Sequence, residues 1–350
     1  MDLNTYSTYH QLDKSGMYQS IMELPAQLAA GYELGFEKTL PEIKNPRLMV
    51  IAGMGGSAIA ADLLTGCFSN SISIPIFVNR SYHLPKWASG KDVLVICSSH
   101  SGNTEETMTV YREACARACT PLIISTGGSL SQSAKENEHA VWQFEHAGQP
   151  RAALGWSFGL LLAVFTRLKF LPDQEENIQL ATREMLDLIE NNKAEIIIPK
   201  NPAKRLAGQL VGKYVTVFGA EHLSAVARRW KTQINELAKS WAQYEAIPEA
   251  NHNTIAGTIH PQEQLLKIFS IFLQSSFYFS RNQSRIDLSF TELMVAGIGT
   301  DKVGLRGTSR FSDMWIHILF GDLISYYLAI LNEEDPTPVI AIESFKEQLG

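Results

Sequence analysis

Short, uninterrupted apolar runs alternate with stretches of helical period along the first half of the chain. Arg47–Gly53 (RLMVIAG), Ser73–Val78, Asp92–Cys97, Pro121–Ser125 and Ala140–Phe144 read as strands. Ser57–Leu64, Glu105–Ala118 and Ser131–Asn137 read as the helices between them. A strand that is apolar at every position is covered on both faces, and strands alternating with helices join in parallel. The pattern therefore predicts an α/β unit, a parallel sheet flanked by helices, over residues 41–170. Residues 1–40 read as an N-terminal helical segment, and the charged, helical stretch 171–204 as a connector. A second unit over 205–350 opens with another apolar run, Tyr214–Gly219. The two openings resemble each other: strand, Gly53 and then Ser57–Ala60 (SAIA), against strand, Gly219 and then Ser224–Ala227 (SAVA). That likeness points to internal duplication of one α/β unit.

The 350 residues are 45% hydrophobic and 19% charged, which excludes a disordered chain. Thirty basic against thirty-six acidic residues, a net charge of −6, argue against a nucleic-acid partner. The opening MDLNTYSTYHQLDK has no basic segment leading into an apolar stretch, so no secretory signal is expected. The longest nearly uncharged apolar run, Leu154–Phe165, falls short of the about 20 residues that span a bilayer, so no membrane partner is expected. Four cysteines make no disulfide scaffold, and a reduced cytoplasm is the expected compartment.

Two loops of the first unit suit an anion. Gly53–Ser57 (GMGGS) lies at a strand-to-helix junction, where glycines let a ligand approach the backbone and the helix N-terminus offers free N–H groups. Ser98–Thr104 (SSHSGNT) adds hydroxyl donors before another helix, and Ser129 and Ser131 could add to the rim. In such a sheet both loops leave the carboxyl ends of the strands, where ligands bind. A dinucleotide fingerprint is disfavoured, because Ala58 stands at its last glycine and the second strand ends in Asn79-Arg80. No G-K-[ST] is present near either loop. Plain helix capping would explain one such loop; two in one unit favour phosphate. The second unit carries Ala220-Glu221-His222 at the matching place, and the acidic residue should repel an anion.

A glycine–serine loop with S-x-S-G-N-T resembles the sugar isomerase (SIS) domain, and further motifs resemble the bifunctional phosphoglucose/phosphomannose isomerases. They are Pro150–Gly155 (PRAALG), Asn235–Lys239 (NELAK), Pro248–Asn253 (PEANHN), and the tail Asp335–Pro338 with Ser344–Lys346. The resemblance runs from about Tyr6 to the end. It departs at His100, where the family usually has Tyr, and at Trp156, often Tyr. It implies two tandem SIS domains and an aldose–ketose isomerase that opens a sugar 6-phosphate ring and passes a proton through a cis-enediol. Gly55, Gly56, Ser57, Ser99, Ser101 and Thr104 would hold the phosphate.

Glu236 is implied as the base. It lies in a helical stretch, Leu223–Trp241, whose apolar stripe is Leu223, Val226, Trp230, Ile234, Leu237 and Trp241, with Arg229, Gln233, Glu236 and Ser240 on one flank. Periodicity alone makes Glu236 a solvated charge; the resemblance makes it catalytic. His252, otherwise a loop histidine, is implied in ring opening, reaching the site from a neighbouring subunit of a homodimer. Arg151 would hold the enediolate charge and Lys346 would close over the site. This chemistry needs no cofactor, and no H-E-x-x-H or paired-histidine metal spacing occurs. A non-catalytic SIS sugar-phosphate sensor, or another phosphosugar isomerase, remains the alternative. The second of these usually carries a single SIS unit.

Overall fold

The structure is a computed structural model and describes residues 2–349. In chain order its regular elements are α1 (Met17–Met22), α2 (Leu24–Glu37), β1 (Leu48–Ala52), α3 (Gly55–Cys67), β2 (Ile76–Asn79), β3 (Val93–Ser98), α4 (Glu105–Ala116), β4 (Thr120–Ser125), α5 (Gly128–Glu136), β5 (Ala140–Gln143), α6 (Leu154–Arg167) and α7 (Glu175–Asn192). There follow α8 (Pro202–Leu210), β6 (Tyr214–Ala220), α9 (Ser224–Ala238), β7 (Ala242–Ile247), α10 (Gln262–Leu265), β8 (Ile268–Leu273), α11 (Ser280–Val295), β9 (Gly299–Val303), α12 (Arg310–Leu331) and α13 (Ile340–Leu349). The chain divides into two compact units, Glu23–Thr182 and Met1–Met22 with Arg183–Gly350. These limits differ from the expected ones. Helix α2 goes with the first sheet, residues 2–22 go with the second, and the division falls inside α7.

The first unit is a five-stranded parallel sheet in the order β2-β1-β3-β4-β5. Every residue of β1 and β3 is buried, as uninterrupted apolar runs require when helices cover both faces. Strand order reverses between β1 and β3, so the loops leaving these strands flank a crevice at the carboxyl edge. Val50, Val95, Cys97 and Ile123 join Val110 and Leu130 in one buried cluster on the α4/α5 side.

The second unit has a four-stranded parallel sheet, β7-β6-β8-β9, reversing between β6 and β8. Helix α12 runs through it with 20 of its 22 residues buried. It has a mean hydropathy of 1.6 over its most apolar window, 94% of that window lies inside the fold, and among the described residues it alone is long and apolar enough to cross a bilayer. The expectation that Leu154–Phe165 is the longest apolar stretch missed it, because Asp313, His317 and Asp322 interrupt the run. These polar groups are buried and paired: Asp322 with Arg229, and Asp313 with His222. Where α9 crosses α12, a Cβ on Gly321 would lie 2.2 Å from the Trp230 indole nitrogen, so only glycine fits. That indole N–H donates to the His317 carbonyl at 2.8 Å.

The expected connector is mostly solvent-facing, as its charge implies, but it ends in the core where α8 begins. Ala203, Leu206, Ala207 and Leu210 of α8 are buried, and Lys204 is 1% exposed. The Lys204 ammonium donates to the carbonyls of Leu3 (2.5 Å) and Ala194 (2.6 Å) and lies over the rings of Tyr9 and Tyr327. Burial lowers its pKa from 10.5 to about 8. Burial also raises the phenols of Tyr9, Tyr18, Tyr326 and Tyr327 above 10.0. As pH falls from 10.5 to 8 the unfolded chain takes up the lysine proton and the folded chain does not, so this contribution to stability shrinks. Above pH 10 the unfolded chain ionises its tyrosines first, and stability falls again. Urea unfolding of the full chain should therefore show stability rising from pH 8 to about 10 and dropping beyond. Lys204→Met should abolish the rise and leave the drop.

Candidate active site

In the first unit the two serine-rich loops form one connected cradle. Met54 is extended, Gly55 takes φ +48°, and α3 begins there. Gly56 lies against the next part of the site: a Cβ there would sit 2.9 Å from the Pro150 carbonyl oxygen and 3.3 Å from the Arg151 Cα. The N-terminus of α3 thus abuts the short turn Pro150–Ala152. Arg151 is 4% exposed, with Nη1 donating to Gln149 Oε1 at 3.3 Å.

Ser57 is buried, and its Oγ accepts the His100 N–H at 3.3 Å, which ties the first loop to the second. Ser99, also buried, donates to Thr104 Oγ1 (2.9 Å) and accepts the Gly102 N–H (3.1 Å). Ser101 is exposed and its Oγ accepts the Asn103 N–H. Thr104 precedes α4 as its extended N-cap residue. Gly102 takes φ +67°, and a Cβ there would fall 1.8 Å from the Gly127 carbonyl oxygen. No side chain fits at this position. Asn103 Oδ1 accepts the Ser129 N–H at 3.0 Å, fastening the loop to α5. Ser129 lies on the exposed rim as expected, whereas Ser131 is buried. The first turn of α4 holds Glu105 and Glu106, and Glu105 Oε2 is engaged by the Tyr82 hydroxyl at 3.1 Å. The N-termini of α3 and α4, with backbone amides and hydroxyls, thus lie side by side at the carboxyl edge of the sheet, an arrangement suited to an anion.

Sequence reasoning missed His146. Its Nδ1 lies 2.9 Å from His100 Nε2. Burial, then its neighbour, lowers His100 to about pKa 4, and burial lowers His146, so at neutral pH both rings are uncharged. His100 also meets Phe144 edge-on at 6.0 Å, and Phe144 stacks on Trp156 at 5.9 Å. The two departures from the family pattern thus share one aromatic neighbour.

In the second unit Glu236 is half-buried on α9. The expected stripe is buried from Leu223 to Leu237, but Trp241 is 65% exposed. The helix ends at Ala238, because Lys239 turns left-handed (φ +53°) and its ammonium reaches back to the Glu236 carbonyl at 2.8 Å. Asn235 Nδ2 donates to the Ser240 carbonyl, clipping the same turn. Arg229 and Gln233, expected on the border with solvent, are instead each 2% exposed. Arg229 makes a double contact with Asp322: Nε–Oδ1 at 3.1 Å and Nη2–Oδ2 at 2.6 Å.

His252 ends a short turn after β7 and is exposed. The asparagines beside it are anchored: Asn251 donates to Ser289 Oγ at 2.6 Å, and Asn253 accepts the Thr254 N–H and donates to Glu249. They fix the loop and leave the imidazole facing outward. Lys346 is exposed on α13, a helix with no buried residue.

The anion cradle does not recur in the second unit. Glu221 (φ +47°) occupies the loop after β6, and its Oε1 accepts the Phe279 N–H at 2.7 Å and the Asn282 amide at 2.9 Å. A carboxylate of the chain itself thus caps α11, the helix that follows β8 as α4 follows β3 in the first unit. Among the described residues no group of three His, Cys, Asp or Glu side chains could hold a metal ion.

A family model described as the bacterial phospho-glucose isomerase C-terminal SIS domain matches residues 199–349. A bifunctional phosphoglucose/phosphomannose isomerase from Caldicellulosiruptor bescii is 37% identical over 95% of this chain and 99% of its own. The chain belongs to the bifunctional phosphoglucose/phosphomannose isomerase family. The relative from Aquifex aeolicus is 31% identical over 86% of this chain and 90% of its own. Among solved structures, the C-terminal domain of the glucosamine-fructose-6-phosphate aminotransferase from Francisella tularensis superposes with a TM-score of 0.72. It is 14% identical and covers 92% of this chain and 98% of its own. That likeness supports the tandem SIS fold, with parallel sheets flanked by helices in each unit.

Proposed function

We propose that this member of the family interconverts glucose 6-phosphate, and also mannose 6-phosphate, with fructose 6-phosphate. The observation that carries the reading is the cradle itself: two loops joined by the Ser57–His100 hydrogen bond, the second closed on itself by Ser99–Thr104, with the buried Arg151 turn packed on Gly56. The phosphate rests on the amides of Gly55 and Gly56 and the hydroxyls of Ser57, Ser99, Ser101 and Thr104.

His252 gives a proton to the ring oxygen as O1–H is deprotonated, and the C1–O5 bond breaks to leave the open aldehyde. The Glu236 carboxylate takes the C2 proton, the C–H electron pair forms the C1–C2 double bond, and the charge gathering on O1 is held by Arg151. Passage of the O2 proton to O1, with the C2–O2 carbonyl forming as the C1–C2 double bond takes the abstracted proton back at C1, yields the ketose. His252 is donated by a second copy of the chain, and its outward, anchored loop suits that role. The working form is then a homodimer. Lys346, on its exposed helix, closes over the substrate. The substrate class and the four free cysteines suit the cytoplasm.

Turnover of both aldose phosphates by one purified sample, measured as fructose 6-phosphate formed in excess chelator, tests the reading. Expected are two activities, both indifferent to the chelator. Tight sugar-phosphate binding with no product would instead make the chain a sensor.

A further inference from the structure

His146 has no assigned part in this chemistry, yet it lies between two segments that do. It follows β5, in the stretch leading to Pro150 and Arg151, and its ring meets His100 in the middle of the second cradle loop. The rings are close to perpendicular (83°), with centroids 5.1 Å apart. Since both are neutral, one donates an N–H and the other accepts it. The His100 main chain is tied down as well: its N–H to Ser57 Oγ, and its carbonyl to the N–H (3.0 Å) and hydroxyl (2.6 Å) of Thr126.

We infer that His146 is a positioning residue, which through the His100 ring holds the phosphate loop at its working distance from the Arg151 segment. The inference rests on the function proposed above and adds to it a residue that touches no substrate atom. Loss of the ring contact loosens only one side. The Arg151 turn keeps its packing on Gly56, so the groups acting at C1 and C2 stay in place. The phosphate grip weakens equally for bound substrate and transition state, which raises KM and spares kcat. One lost hydrogen bond weakens binding roughly three- to tenfold.

The test compares His146→Phe with His146→Asn. Phe keeps the ring and loses the polar atom. Asn places a polar atom at the Nδ1 position. His146 is half-buried in a loop, so both chains should fold. In His146→Phe the KM for fructose 6-phosphate and the competitive Ki of inorganic phosphate should rise together, roughly three- to tenfold, with kcat within about twofold. In His146→Asn both should return toward the parent values. Unchanged KM and Ki in the Phe chain, equal losses in both chains, or a fall in kcat at constant KM would each overturn the inference. Calorimetric titration with inorganic phosphate separates this outcome from the fate of the isomerase assignment. If the parent chain proved inactive, weaker phosphate binding by His146→Phe would still support the positioning role, and equal affinity would end it.

Discussion

A Glu236→Gln chain should lose between about a hundredfold and ten-thousandfold of its kcat and still bind fructose 6-phosphate. The amide has the shape of the carboxyl and cannot take a proton from carbon. Half-buried beside the closed-off end of α9, residue 236 supports no large part of the core, so the fold should survive the change. Dissociation constants should stay near parent values, because under the proposed function the phosphate is gripped by residues other than Glu236. Full turnover in this chain would remove Glu236 from the chemistry. Co-expression with His252→Ala sharpens the measurement. If each site takes its base from one copy and its imidazole from the other, a mixed dimer has one site with both groups intact and recovers part of the activity. A mixture as dead as its parents would show that both groups act within one copy.

Asp322→Ala should be the most damaging single change to stability, at about 3–5 kcal/mol and a Tm lower by roughly 10 °C. Arg229 is 2% exposed, and its guanidinium would be left inside the fold without the carboxylate that meets it at two points. The paired change Arg229→Met with Asp322→Leu removes both charges and fills similar volume. It should cost far less than Asp322→Ala alone, since the expense of a broken buried pair lies mostly in the stranded partner. Calorimetric melting of the three chains decides the matter. Equal losses in the single and double variants would show that the pair is held for its attraction rather than against desolvation.

The first sheet was legible because β1 and β3 are apolar at every position, and a strand buried on both faces has no other way to look. The two loops stood out because glycine, serine and threonine recur between a strand and a helix twice in one unit, where capping alone accounts for one. The fold around Glu236 was harder. Helical periodicity carried the stripe on to Trp241, but a backbone turn at Lys239 ends the helix first, and the left-handed turn leaves no mark on the apolar pattern. Arg229 and Gln233 could be placed only on a flank of the stripe, because their cover, Asp322 and the rest of α12, lies some ninety residues further along. His146 had no signature at all: a histidine in E-H-A-G-Q has meaning only beside His100, and the two meet through the pairing of β3 with β4 and of β4 with β5. Glu221 was legible as an obstacle to anions, but not as the cap on α11.

Helix α12 carries a further consequence while the chain is being made. Emerging from the ribosome before its partners are in place, a segment of this length and apolarity is the kind that targeting factors capture and a translocon inserts sideways into lipid. Asp322 stands near its midpoint, where a carboxylate costs about 2.5–3.5 kcal/mol on insertion. The same side chain that locks onto Arg229 thus sets a cost against placing the isolated helix in lipid.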